Sequence, residues 1–167
     1  HKSADVSLRE RVSIPENKIL QAQHQLKKLL DPLAIEQVIL STCNRTEFYF
    51  YGDNLSIIFD KTLYWLAMYA NENIEKIQAH TYKREGKEAV SHIFRLACGL
   101  DSMAMGETQI LGQLKSATRI SKELGYSGNN LDYLTQKAFN VAKLVRSETD
   151  IGKQSISLAS LSIQLTK

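Results

Sequence analysis

Cys43 is the residue whose type and setting are best suited to chemistry. A thiol is the most nucleophilic common side chain near neutral pH, because part of it is already thiolate. Arg45 follows two residues later, and a nearby positive charge enlarges the thiolate fraction. The competing reading is a small apolar residue that ends a buried strand. Against it stand the polar neighbours Thr42, Asn44, Arg45 and Thr46, because a core strand rarely passes straight into such a group.

His92 is the second candidate. It lies among Ala89, Ile93 and Leu96, so the helical period turns it toward the apolar side. A histidine there is either a core residue with a satisfied hydrogen bond or an acid/base partner for the thiol. Spacing alone leaves both open. The third candidate is the stretch from Gly99 to Gln109, in which Asp101, Ser102, Glu107 and Thr108 lie in a glycine-framed loop that enters a helix. A helix N-terminus offers backbone N–H groups to a carboxylate. Gln109 and Gln113, four residues apart, share a helical face. Amides and hydroxyls so arranged suit a ligand with both charges, but they also suit an ordinary capping loop beside a solvated glutamine row.

The elements that must hold these groups can be outlined from the pattern. Ser13 to Pro32 predicts a helix with Pro15 in its first turn. Gln37 to Thr42 predicts a buried strand and Phe48 to Tyr51 a second, with the polar connector Cys43–Glu47 between them. Leu55 to Ala70 predicts a helix, and Ile77 to Tyr82 a short strand. Gly86 to Cys98 predicts a helix stopped by Gly99, and Glu107 to Leu124 another closed by Gly125. Leu131 to Thr149 predicts a helix with Asn130 as N-cap, and Ser155 to Lys167 an amphipathic segment. The expected class is α+β: a small, mainly antiparallel sheet packed with several helices, followed by the start of a linking helical segment.

Bulk properties set the outer bounds. The 167 residues are 43% hydrophobic and 23% charged, which suits a folded globular chain. A formal charge of +3 neither announces nor excludes a nucleic-acid partner. The two cysteines, Cys43 and Cys98, make no disulfide framework and no zinc pattern, so a reducing cytoplasm is the simplest compartment. No apolar run has the length of a membrane span. The chain opens on His1, which points to a cropped start.

Ser41-Thr42-Cys43-Asn44-Arg45-Thr46-Glu47 resembles the signature of glutamyl-tRNA reductases. Ala89 to Met103 resembles a second block of that family, and Gly106 to Gln113 continues it. His1 to Ala4 and Leu8 to Arg11 are similar to the family's start just after its first strand. The resemblance implies Cys43 as nucleophile and His92 as a residue important for activity. It implies a glutamyl pocket of Thr42, Cys43, Asn44, Arg45, Ser102, Glu107, Thr108, Gln109 and Gln113. Arg45 would take the substrate's side-chain carboxylate as a bidentate partner.

The implied reaction attacks glutamyl-tRNA to give a thioester, which NADPH reduces to glutamate-1-semialdehyde for tetrapyrrole synthesis. Residues 1–150 would be the catalytic, glutamyl-tRNA-binding domain. Residues 151–167 would begin the connection to an NADPH-binding domain outside this sequence, which has no GxGxxG-type loop. The family further implies a cytoplasmic homodimer without membrane contact, and glutamate-1-semialdehyde aminomutase as a partner. Two rivals remain at this level. One is a cysteine hydrolase or acyltransferase without a hydride donor, and the other an RNA-binding module for which Cys43 is dispensable.

Overall fold

The first helix is set by Asp5, whose carboxylate accepts from the Leu8 N–H at 2.7 Å and caps α1 (Val6–Val12). The sequence pattern did not predict this helix. The structure, a computed structural model, describes residues 3–101 and 109–149. Ser13 is extended, so α2 (Glu16–Leu30) starts later than predicted, with Pro15 in the N-cap position instead of the first turn. It ends where predicted, because Asp31, which precedes Pro32, is also extended.

β1 (Ala34–Ser41) and β2 (Thr46–Gly52) form a two-stranded antiparallel sheet, with Ile39 opposite Phe48 and Ser41 opposite Thr46. Thr46 and Glu47, expected in the connector, belong to β2, and Thr42 belongs to the loop. The connector is therefore only Thr42–Arg45. α3 (Leu55–Ala70) has the predicted bounds. Asn54 and Asn71 flank it in the left-handed region at φ 54° and 49°, which asparagine tolerates better than most side chains.

The strand expected from Ile77 to Tyr82 is not formed. α4 (Ile74–Ala79) replaces it, because the Asn73 side chain accepts from the N–H groups of Glu75 at 2.7 Å and Lys76 at 3.4 Å. A local cap with one buried anchor, Ile77, outweighs the strand preference of an apolar residue. α5 (Gly86–Ala97) is followed by Gly99 at φ 75°, the predicted left-handed stop. α6 (Gln109–Glu123) and α7 (Asn129–Glu148) complete the described helices. α7 begins two residues before Leu131, so Asn130 lies in its first turn and is not the N-cap. The architecture is α+β, with seven helices and one two-stranded sheet among the described residues.

The chain divides into two compact units. The first holds residues up to 83 together with 117–132. Its core joins Ile14, Ile19, Leu26 and Leu30 to Ile39 and Ile58, and a second cluster joins Leu8 to Leu63, Leu66 and Ile77. The outer face of α1 is exposed, and Leu8 anchors the helix. The second unit begins at residue 84 and includes α5 with most of α7. Ile93, Leu96 and Ala97 of α5 and Ala138, Phe139 and Ala142 of α7 are buried at helical spacing. Cys98 is buried beside them in sequence. The expected amphipathic segment Ser155–Lys167, and the expected connection 151–167, lie outside the described residues.

Candidate active site

A hairpin loop of four residues carries the thiol. The Thr42 N–H donates to the Arg45 carbonyl at 2.8 Å, which continues the ladder one rung past Ser41 and Thr46. The returning bond uses a side chain: the Arg45 N–H donates to Thr42 Oγ1 at 3.1 Å. The Asn44 N–H donates to the same hydroxyl at 3.2 Å, and the hydroxyl donates to the Arg45 carbonyl at 3.2 Å. Both acceptor positions and the one proton of Thr42 are thus used inside the loop. Cys43 and Asn44 form the tip, and Cys43 is exposed.

The stem of the hairpin is held by the start of the chain. The Ile14 N–H donates to Ser41 Oγ at 2.8 Å, and Thr46 Oγ1 donates to the Val12 carbonyl at 2.9 Å. The tip has its own tether, a bond from Arg9 Nη1 of α1 to Asn44 Oδ1 at 3.0 Å. A rigid sheet end with a short, tied loop is the kind of place where binding and catalytic groups are usually displayed.

Arg45 does not stand alone. Its Nη1 lies 3.1 Å from Glu47 Oε1, and both side chains are buried. Glu47 also accepts from the Tyr49 hydroxyl at 2.5 Å and the Tyr82 hydroxyl at 2.9 Å. Burial, reinforced by the negative charge of Glu47, pushes the Tyr49 phenol well above its ordinary pKa. It remains a neutral donor. Arg45, Tyr49 and Tyr82 all donate to this carboxylate, and part of the guanidinium is committed to the protein.

The remaining predicted residues belong to the second unit or lie outside the described residues. His92 is buried on α5, on the apolar side as expected, with Nδ1 3.8 Å from Asp101 Oδ2. That separation suits an ion pair when the ring is protonated, but is too long for a hydrogen bond. Gln109 and Gln113 are exposed on the first turns of α6. Ser102, Glu107 and Thr108 lie outside the described residues. Thr42, Cys43, Asn44 and Arg45 are brought together on one loop.

Sequence reasoning missed Arg9, Glu47, Tyr49 and Tyr82. Glu47 and Tyr49 were findable: Arg45, Glu47 and Tyr49 alternate along an extended stretch, and alternate residues share a face. Arg9 and Tyr82 reach the hairpin across 35 residues each, and no local signal marks such pairs. Cys98 is buried, and burial raises its thiol, only partly offset by the charge of Arg146. No cluster of metal-ligating side chains occurs among the described residues. None of the described helices is long and apolar enough to cross a membrane.

Comparison with known proteins places the chain in a family. The model of the glutamyl-tRNA(Glu) reductase N-terminal domain matches residues 1–149. The glutamyl-tRNA reductase of Neisseria meningitidis serogroup B is 44% identical over all 167 residues, which span 39% of that protein. That of Ectopseudomonas mendocina is also 44% identical over the whole chain, which spans 38% of it. Among solved structures, the glutamyl-tRNA reductase of Methanopyrus kandleri aligns with a TM-score of 0.75 at 28% identity, over 99% of this chain and 37% of that one. With its hairpin-borne cysteine and a match running from residue 1 to 149, the chain belongs to the glutamyl-tRNA reductase N-terminal domain family.

Proposed function

We propose that this chain carries the acyl-transfer half of glutamyl-tRNA reduction, the first step of tetrapyrrole synthesis. The observation that supports it most is the exposed Cys43 thiol at the tip of a loop tied on both sides, in a chain of this family. The thiolate attacks the ester carbonyl that joins glutamate to the terminal ribose. The C–S bond forms, the C–O bond breaks, and the ribose oxygen leaves with a proton. Arg45 takes the side-chain carboxylate of the glutamyl group as a bidentate partner. His92 supplies the proton transfer. Ser102, Glu107, Thr108, Gln109 and Gln113 hold the ammonium and the remaining polar edges. Thr42 contributes through the loop it closes.

The whole reaction would need NADPH as its source of hydride. A dinucleotide cradle needs a glycine-rich turn between a strand and a helix, with free N–H groups at the helix start. The two described strands are instead joined to each other by Thr42–Arg45, and the described residues do not fit the cofactor. Residues 1–150 are therefore assigned to acyl transfer, and residues 151–167 to the connection with the cofactor-binding part. The same reading carries a cytoplasmic homodimer that passes its product to glutamate-1-semialdehyde aminomutase.

Intact-mass analysis after mixing with glutamyl-tRNA tests the proposal. A single glutamyl adduct, mapped to the Cys43 peptide and missing from Cys43→Ser, is the expected result. An unmodified protein, or an adduct on Cys98, overturns it.

A further inference from the structure

The bond between Arg9 and Asn44 fixes more than the position of the loop. A guanidinium only donates hydrogen bonds. The atom of the Asn44 amide that faces Arg9 Nη1 is therefore the oxygen, and its identity follows from chemistry as well as from the coordinates. In a planar carboxamide the two Nδ2–H donors then point away from Arg9. They meet no acceptor among the described residues, whereas the oxygen and the backbone N–H of Asn44 are both engaged. A second detail concerns Arg9. Its Nε is buried and has no hydrogen-bond partner among the described residues, although buried polar groups are nearly always satisfied. An unsatisfied buried Nε costs stability, and the same guanidinium holds Asn44 through Nη1.

Asn44 is the residue next to the nucleophile, at the exposed tip of the hairpin. We propose that Asn44 is a catalytic residue, whose side-chain N–H donates to the oxyanion formed when Cys43 attacks an acyl carbonyl, and that Arg9 is the positioning residue that sets the amide for this. In that step the sulfur lone pair forms the C–S bond and the carbonyl π pair moves onto oxygen. Asn44 Nδ2–H bonds to that oxygen. The pair returns as the C–O ester bond breaks, and the thiol proton ends on the departing oxygen. A donor already aimed where charge develops needs no reorganisation at the moment of reaction. The inference rests on the acyl-transfer reading only for the identity of the ester.

The test compares two reactions of the same thiol in the 167-residue protein. Acylation by glutamyl-tRNA or by p-nitrophenyl acetate passes through an oxyanion, whereas alkylation by iodoacetamide does not. Asn44→Ala and Asn44→Asp are expected to slow acylation at saturating ester by about a hundredfold, the usual loss for one oxyanion donor, with alkylation unchanged. Arg9→Ala is expected to lose roughly tenfold, Arg9→Lys to recover most of it, and Arg9→Ala to add nothing in an Asn44→Ala background. Parallel loss of both reactions would mean a merely structural role and overturns the proposal. So does wild-type acylation by the Asn44 variants, or a defect that disappears at saturating ester. If p-nitrophenyl acetate responds as expected but glutamyl-tRNA acylates nothing, the oxyanion role stands and the glutamyl-tRNA reading fails.

Discussion

Arg45 and Glu47 hold each other at 3.1 Å between Nη1 and Oε1, with side chains only 6% and 8% exposed. The pair links the loop that carries the thiol to the strand that leaves it, and the Tyr49 and Tyr82 hydroxyls close around the same carboxylate. The cation proposed to meet substrate is thus oriented before any substrate arrives.

Breaking that pair has a large expected effect. Glu47→Ala leaves a buried guanidinium short of its charge partner and two phenols short of an acceptor. A loss of about 3–5 kcal/mol is expected from removing one member of a buried pair. Urea unfolding of the variant beside the parent measures it. A loss below ~1 kcal/mol would mean that the pair is effectively solvated.

Arg45→Lys keeps the charge and loses the planar fork. The proposed contact with the glutamyl carboxylate should weaken by roughly 1.5–3 kcal/mol, the range for hydrogen bonds to charged groups. Discrimination between glutamyl-tRNA and glutaminyl-tRNA should fall accordingly. Acylation rates for both substrates give the ratio, and parental selectivity in the lysine variant rules out this role.

Glu36 makes the fold acid-sensitive. Burial acts to raise its carboxyl, but hydrogen bonds from the Leu131 N–H, the Asn130 amide and N–H, and the Gly128 N–H outweigh it and hold the pKa below the usual 4.5. A group depressed in the folded state contributes stability that is fully present above its unfolded pKa. That stability is lost as pH falls through the folded value. Urea midpoints should therefore be flat near neutrality and drop below about pH 4.5. Asp132, held down by Lys122 and Ser127 against burial, adds to the drop. Glu36→Gln should lower stability at pH 7 and flatten the acid limb. An unchanged limb would exclude Glu36 as a source.

The two thiols should behave oppositely. Iodoacetamide on the folded protein is expected to label exposed Cys43 and spare Cys98, which burial both shields and keeps protonated. Peptide mapping reads the sites, and in denaturant both should label. Cys43→Ser should abolish thioester formation, whereas Cys98→Ser should retain it. The reverse pattern would overturn the assignment.

With NADPH and glutamyl-tRNA, the 167-residue protein is expected to release free glutamate and no semialdehyde. A thioester at an exposed tip meets water, the leak that closed active sites prevent. Glutamate release should be equal with and without NADPH. NADPH-dependent semialdehyde from this protein would show that its residues hold the cofactor after all.

What could be read from the sequence was local. Apolar spacing found the bounds of α3, and the proline rule found the end of α2. The reactive loop was visible as a polar break between apolar runs. Asp5 and Asn73 are legible caps, but apolar spacing gives them no weight, so it does not predict α1 and reads α4 as a strand. Partners far apart in sequence had no signal. The group that starts α7 is Glu36, some 94 residues away, so a local rule had to choose Asn130. The Cys43 loop is likewise tied to Arg9, and Glu47, the partner of Arg45, to Tyr82.

The contact between Glu36 and α7 bears on the order of folding. Helix starts ordinarily fray, because their first N–H groups lack partners within the helix. Here the Asn130 and Leu131 N–H groups bond to a strand carboxylate at 3.0 Å and 2.7 Å. These bonds close a stretch of about 94 residues between β1 and α7, so they are expected to form late in folding. Interactions made late mostly govern how fast a protein unfolds. Loss of this carboxylate should therefore shorten the lifetime of the native state while refolding keeps its pace, and the amides of that turn should be among the first to lose protection from hydrogen exchange.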